Sequence, residues 1–259
     1  METDSGRCSD LPVIRVRGLK KAFGEQVILD GVDLDIPDAS IYAVVGQSGT
    51  GKSVLFKTIM GMLTADAGQV WFRDRELSAL SGEALLEARR SFGYAFQYSA
   101  LFDFLTVAEN IAFPLREVLG IRNKHEIHER VQKMLEWIEL PDIGDKRPDQ
   151  LSGGMKKRVG VARALVMHPD VLLFDEPTTG LDPVLSETIN DLVVRVNHEL
   201  GITCVIITHD IPAAFRIADR IAFLDKGKIV AEGAARDIVE TEHDLVKDFL
   251  RISFTELKV

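Results

Sequence analysis

Short apolar runs alternate along this chain with stretches in which apolar residues recur every three or four positions. The first pattern predicts strands and the second predicts helices. Residues 13–16 alternate like a strand, and a second strand runs over residues 27–36 after the Gly24-Glu25 turn. Residues 41–45 are uninterruptedly apolar and read as a buried strand. Val54, Leu55, Thr58, Ile59 and Met62 then mark one face of a helix. Residues 68–72 return to strand character, Ser81 caps a helix reaching Arg90, and residues 93–97 form a short strand ending in an amide. From Ala100 to about Leu165 helical patterns dominate, over residues 107–115, 126–138 and 153–166, with Pro114, Pro141 and Pro148 between or within them. This stretch reads as a helical lobe inserted into an α/β core. The core resumes with strand 171–174, helix 184–200, strand 203–207, helix 211–218, strand 221–224 and a hairpin at Lys226-Gly227-Lys228. A loose tail is expected over residues 1–11 and one large domain over residues 12–233. A tail over 234–259 is expected to start helical and be amphipathic around Leu245, Val246, Phe249 and Leu250.

Between the strand at 41–45 and the helix after it lies Gly46-Gln47-Ser48-Gly49-Thr50-Gly51-Lys52-Ser53, which fits G-x-x-x-x-G-K-[ST]. Glycines let the backbone take positive φ, so that successive N–H groups turn inward toward an anion. The positive end of the helix dipole lies beneath them. Strand, glycine loop and helix together make the phosphate cradle of P-loop NTPases, with Lys52 reaching the β- and γ-phosphates and the Ser53 hydroxyl ligating Mg²⁺.

Further chemistry falls at strand ends. Asp175 and Glu176 follow an apolar run suited to a strand covered on both faces, and ligands of parallel sheets bind beyond such C-terminal ends. Neighbouring residues of an extended chain point opposite ways, so Asp175 is assigned to the metal and Glu176 to polarising the attacking water. His209 follows a second apolar strand; a contact to the γ-phosphate competes with a hydrogen-bonded structural role. Gln97 ends a third strand and is a candidate for metal or water, although exposed amides at strand ends are ordinary. Leu151-Ser152-Gly153-Gly154-Met155 opens a long helix with a second anion-binding N-terminus, unless Ser152 is simply a cap. One chain then carries a phosphate cradle and a spare anion site, and both are filled if two copies pack head to tail around shared nucleotide.

Composition limits the alternatives. The chain has 259 residues, 46% hydrophobic and 27% charged, which suits a folded domain with a sizeable core. No apolar run approaches the ~18 residues of a membrane span, and residues 1–11 lack the apolar segment of a secretory signal. Two cysteines, Cys8 and Cys204, suggest no disulfide framework and fit a reducing cytosol. A net charge of −9 argues against nucleic acid as partner.

Taken together, from Val13 to Gly233, these features resemble the ATP-binding subunit of an ABC transporter. Gly46 to Ser53 is similar to the Walker A motif, with Val54 following it, Gln97 to the Q-loop, and Leu151 to Gly154 to the LSGG signature. Residues 171–176 resemble Walker B with its catalytic glutamate, Gly180-Leu181-Asp182 the D-loop, and His209 the switch histidine. Phe23 falls where the family stacks an aromatic on adenine, although a phenylalanine there is more often core. The resemblance implies an α/β P-loop NTPase fold of ABC type, a mixed sheet core with an inserted helical lobe. It implies a homodimer sandwiching two ATP molecules with Mg²⁺. Lys52, Ser53 and Asp175 would hold phosphate and metal, and Gln97 would sense the γ-phosphate. Glu176 and His209 would position water. Ser152, Gly153 and Gly154 would complete the partner's site, and Asp182 would couple the two sites.

With no span of its own, such a subunit is expected to work peripherally at the cytoplasmic face of the inner membrane, docked on integral membrane permease subunits. Residues 99–107, just after Gln97, either receive the permease or pack the lobe. Gly154-Met155-Lys156-Lys157-Arg158-Val159 and the stretch from Leu101 to Arg116 look like the Mla or Mce-associated subfamily, which moves phospholipid. That resemblance implies a lipid cargo and an Mce-type substrate-binding partner. Another cargo, or a non-transport ABC ATPase, is the alternative. A repair-type ATPase would need a long heptad insertion between Gln97 and Leu151, and a translation-type protein would carry two cassettes. A non-catalytic regulatory cassette would be expected to lack Glu176 or His209.

Overall fold

The computed structural model describes residues 12–238, 246, 247 and 251. The expected loose tail at 1–11, Leu245, and the stretch from Phe249 onward, apart from Arg251, lie outside the described residues. Among those residues the fold has two sheets and a helical lobe.

The first sheet is antiparallel, in the order β2 (Gln26–Ile36), β1 (Ile14–Phe23), β4 (Ala67–Phe72), β5 (Arg75–Glu76). β1 is far longer than its apolar alternation shows. Beyond Val16 it runs through Arg17-Gly18 with breaks in register against both neighbours, so the period-2 signal is lost while the ladder continues.

The second sheet has six strands. Their order is β10 (Lys228–Ala234), β9 (Arg220–Asp225), β3 (Ile41–Val45), β8 (Thr203–Thr208), β7 (Val171–Asp175), β6 (Phe92–Ala95). All neighbours pair in parallel except the β9–β10 hairpin, so the sheet is mixed as expected. Its central strands are buried on both faces, which is why they read as unbroken apolar runs.

Alternate residues of those strands feed two cores. Tyr42, Val44, Leu173, Val205 and Ile207 face the first sheet and α1 (Lys52–Ile59), where they join Leu19, Leu34 and Phe56. Ala43, Val45, Phe174, Cys204 and Ile206 face α6 (Pro183–Leu200) and α7 (Ile211–Ile217), with Val193, Val196 and Ile211 among them. α2 (Gly82–Arg89) lies at the edge of the first core through Ala88. After β10, α8 (Ala235–Ile238) and Val246 close over the second core.

The lobe is built from α3 (Val107–Glu117), α4 (Lys124–Trp137) and α5 (Gly153–Leu165) around a third core of Val107, Ile111, Leu115, Leu135, Ile138 and Val159. α5 belongs to both units. Val159 and Ala162 face the lobe, whereas Val161, Ala164 and Leu165 pack on the central sheet. The helix that ends at Leu165 is thus shared between the lobe and the central sheet. Pro114 sits inside α3 and does not interrupt it. β6 stops at Ala95, so Gln97 lies two residues past the strand that was expected to end with it.

Candidate active site

The glycine loop leaves β3 at Val45 and enters α1 at Lys52. Gly51 is the residue before the helix, at φ 100°, and Gly49 has φ 82°, conformations that side chains resist. Packing adds a second requirement at Gly51, where a Cβ would lie 2.9 Å from Ile28 Cγ2. A Cβ at Gly46 would collide with the Leu224 carbonyl. The Lys52 ammonium folds back into the loop, donating to the carbonyls of Gly46 at 2.7 Å and Gln47 at 2.9 Å. Thr50 Oγ1 also donates to the Gln47 carbonyl, at 2.9 Å. Burial lowers the proton affinity of Lys52, and the charges of Glu176 and Asp175 work against that shift.

Beside the loop opens a cavity of about 410 Å³. Ser48, Gly49, Gly51, Lys52, Ser53 and Val54 line it from one side, and Gln97, Asp175, Glu176 and His209 from the strand ends. β7 and β8 are in register at Asp175 and Ile207, and the Glu176 N–H donates to the Ile207 carbonyl at 2.9 Å. Glu176 has φ 48°, in the left-handed region, so the chain turns sharply as it leaves the strand. The two carboxylates consequently have different partners. Asp175 Oδ1 accepts from Ser53 Oγ at 3.2 Å, and Oδ2 accepts from the Tyr94 hydroxyl at 2.7 Å. Glu176 Oε1 lies 3.8 Å from Lys52 Nζ. Its Oε2 is 2.7 Å from His209 Nδ1 and accepts from Thr179 Oγ1 at 3.2 Å.

Sequence patterning leaves out two of these partners, Tyr94 and Thr179, and a further contact made by Lys157. Tyr94 lies on β6 opposite Leu173 of β7, so strand pairing brings its hydroxyl to Asp175. Burial, then the hydrogen bond to Asp175, raises its pKa, keeping it a protonated donor. Thr179, three residues after Glu176, was within reach of a local reading. Lys157, part of the stretch that resembles the Mla or Mce-associated subfamily, donates to the carbonyls of Gln97 at 2.9 Å and Glu176 at 3.2 Å.

The donor set suits a small hard cation shared with phosphate. Ser53 and Asp175 present oxygens side by side, and Mg²⁺ commonly takes one or two protein oxygens, with phosphate and water completing the octahedron. Among the described residues no group of three or more His, Cys, Asp or Glu forms a self-sufficient metal cage.

The remaining predicted residues lie elsewhere. Ser152 caps α5, its Oγ accepting from the Met155 N–H at 3.3 Å, and neither it nor Gly153 or Gly154 lines the cavity. Gly154 is tightly packed, since a Cβ there would meet Leu185 at 3.2 Å. Asp182 caps α6, accepting from the N–H groups of Val184 and Leu185 at 3.0 Å. Phe23 ends β1 half exposed, with the Lys21 ammonium 5.5 Å from its ring centre. Residues 99–107 are partly packed and partly exposed. Leu101 packs on the lobe core, whereas Phe104 stays 71% exposed beside the half-buried Phe102. Asn110 fixes this loop, bonding both the N–H and the C=O of Phe102. No helix among the described residues is long and apolar enough to cross a membrane.

Comparison with known proteins gives the same architecture. Residues 29–179 match the ABC transporter family. The chain is 40% identical over 244 residues to the methionine import ATP-binding protein MetN of Rhodopseudomonas palustris (strain BisA53), covering 92% of this chain and 65% of that protein. It is 44% identical to the MetN of Thermobifida fusca (strain YX), covering 86% and 68%. Against the first curated relatives it spans less than two thirds of their length, at 65%, 62% and 66%. Among solved structures, cbiO1 of Clostridium perfringens, part of the cbiONQ transporter complex, superposes with a TM-score of 0.82 at 31% identity, covering 95% of this chain and 98% of that one. A dimeric post-hydrolysis state of the cassette MJ0796 bound to ADP and Pi gives 0.77 at 32% identity, with 86% and 99% covered. The chain belongs to the ABC transporter family and has the fold of its ATP-binding cassette.

Proposed function

We propose that this chain is the ATP-hydrolysing subunit of a membrane transporter and that it works as a head-to-tail homodimer. The observation that carries the reading is the gathering of Lys52, the Ser53–Asp175 pair and the Glu176–His209 pair around one cavity, with the Ser152 helix N-terminus outside it. The cavity supplies half of a nucleotide site, and Ser152, Gly153 and Gly154 of a second copy supply the other half. The similar cassette MJ0796 is dimeric with ADP and Pi bound, which supports a nucleotide-bound dimer.

In this mechanism Lys52 leaves the loop carbonyls for the β- and γ-phosphates, and loop N–H groups from Ser48 to Val54 cradle the anion. Ser53 and Asp175, with Gln97 nearby, would hold Mg²⁺, which when bound neutralises charge developing on the phosphates. Glu176 takes the proton of the attacking water, His209 holds the Glu176 carboxylate and helps position that water, and Gln97 senses the γ-phosphate. Phe23 stacks on the adenine. Asp182 carries the state of one site to the other, and loss of the γ-phosphate releases the dimer. Integral membrane permease subunits would dock on residues 99–107, where Phe104 stays exposed, with the subunit working at the cytoplasmic face of the membrane.

For the cargo, the relatives named above point away from lipid. Their names state methionine import, whereas the phospholipid reading and its Mce-type partner rest on two short stretches. A cargo other than lipid therefore fits better, with methionine the first to test. Purification with the associated permease, followed by ATPase assays with methionine or phospholipid, checks this: stimulation by phospholipid alone would restore the lipid reading. Glu176→Gln checks the chemistry. It should keep ATP binding and trap a closed dimer while turnover falls by about 10²–10⁴-fold. Equal turnover in the two proteins would remove Glu176 as the base.

A further inference from the structure

One face of α5 grips the segment after Gln97. Lys157, Gly160 and Arg163 follow at three-residue spacing, which places them along one side of the helix. Arg163 donates to the carbonyls of Ser99 at 2.8 Å and Ala100 at 2.7 Å. These two residues have φ 61° and 45°, left-handed conformations that need support in non-glycine residues. Gly160 lets the segment approach closely, since a Cβ there would lie 3.2 Å from Ser99 Cβ. Lys157 completes the row, but its reach is different. Its ammonium joins the Gln97 carbonyl to the Glu176 carbonyl, and so spans two chain segments that both line the nucleotide cavity. Glu176 is also left-handed, at φ 48°, so its carbonyl direction, and with it the placement of the carboxylate, depends on what holds it.

The same helix begins at Ser152, five residues before Lys157. We infer that Lys157 is a positioning residue that ties the start of α5, engaged on the second nucleotide, to Gln97 and Glu176 at the first. This rests on the head-to-tail dimer proposed above and deepens it. A shift of α5 when its N-terminus closes on a partner's phosphate is carried along one rigid helix to the main chain that holds the catalytic carboxylate. An ammonium is suited to the task because it donates to several carbonyls at once and carries no acceptor of its own.

The test compares Lys157→Met, which keeps most of the apolar stem, with Lys157→Arg in the full chain. Lys157→Met should lower kcat about tenfold, the order expected for losing a charge-assisted hydrogen bond at the site. The KM for ATP should stay within about twofold, because none of the phosphate-cradling groups is altered. Lys157→Arg should regain most of the lost rate. Tm measured alongside separates positioning from folding. Unchanged kcat in Lys157→Met overturns the inference, as does a loss of kcat matched by losses of ATP binding and Tm. If the unaltered protein turns over no ATP, the proposed function fails instead, before Lys157 comes into question.

Discussion

At the scale of single residues, the site gives two adjacent carboxylates different sets of neighbours. Glu176 is approached by Lys52, His209 and Thr179, while Asp175 is held by Ser53 and Tyr94. Tyr94 is the unexpected member. Its partly buried side chain fixes one oxygen of Asp175, leaving the other beside Ser53, where a cation bridging to phosphate would sit. Such outer hydrogen bonds orient metal-binding carboxylates, and their loss typically costs about 10–100-fold in metal affinity or activity. Tyr94→Phe should therefore raise the Mg²⁺ concentration for half-maximal ATPase about tenfold. A Mg²⁺ titration checks this, and an unchanged midpoint would show that Ser53 and the β7 backbone place Asp175 without help.

Among the elements, α3 and α5 decide how the lobe is set. α3 begins with a reciprocal cap, in which Thr106 Oγ1 accepts from the Glu109 N–H and Glu109 Oε2 accepts from the Thr106 N–H. Thr106→Ala should cost about 1 kcal/mol, seen as a fall in Tm of about 2–4 °C. The backbone hydrogen bond from Thr106 holds the Glu109 carboxyl below its ordinary pKa of 4.5. Because the folded value is the lower one, this contribution is complete above the unfolded pKa and disappears as pH falls through the folded one. The stability gap between Glu109→Gln and the unaltered protein should accordingly narrow in acid, as chemical denaturation at pH 7 and at acid pH will show. α5 is capped by Ser152, whose Oγ accepts from the Met155 N–H. It belongs to two cores, and its outward end presents Ser152.

For the whole molecule, the separation between the cavity and the Ser152 cradle has a direct kinetic consequence. If each site is completed by a second copy, turnover per protomer should rise with protein concentration and level off once the dimer saturates. Ser152→Arg should retain nucleotide binding by the isolated chain yet abolish hydrolysis, because an arginine there blocks the partner's phosphate cradle without touching the cavity. Nucleotide binding by equilibrium titration and phosphate release across a dilution series measure the two halves of that statement. Concentration-independent turnover would mean that one chain suffices.

The sequence by itself determined the strands of the central sheet, the glycine loop and the acids at the end of β7. Each rests on local patterning: strands covered on both faces must be uniformly apolar, and a phosphate cradle needs glycines at fixed spacing before a helix. It also indicated the lobe, whose helices show their period in Val107, Ile111 and Leu115. What it could not show was anything decided by pairing at long separation. The full length of β1 was hidden because register breaks at Gly18 erase the alternation while the ladder continues. Tyr94 joined Asp175 only because β6 lies beside β7, and Lys157 met Gln97 and Glu176 only because α5 lies across both segments. Those contacts link residues 81, 60 and 19 positions apart, a distance at which hydrophobic periodicity carries no information about who touches whom.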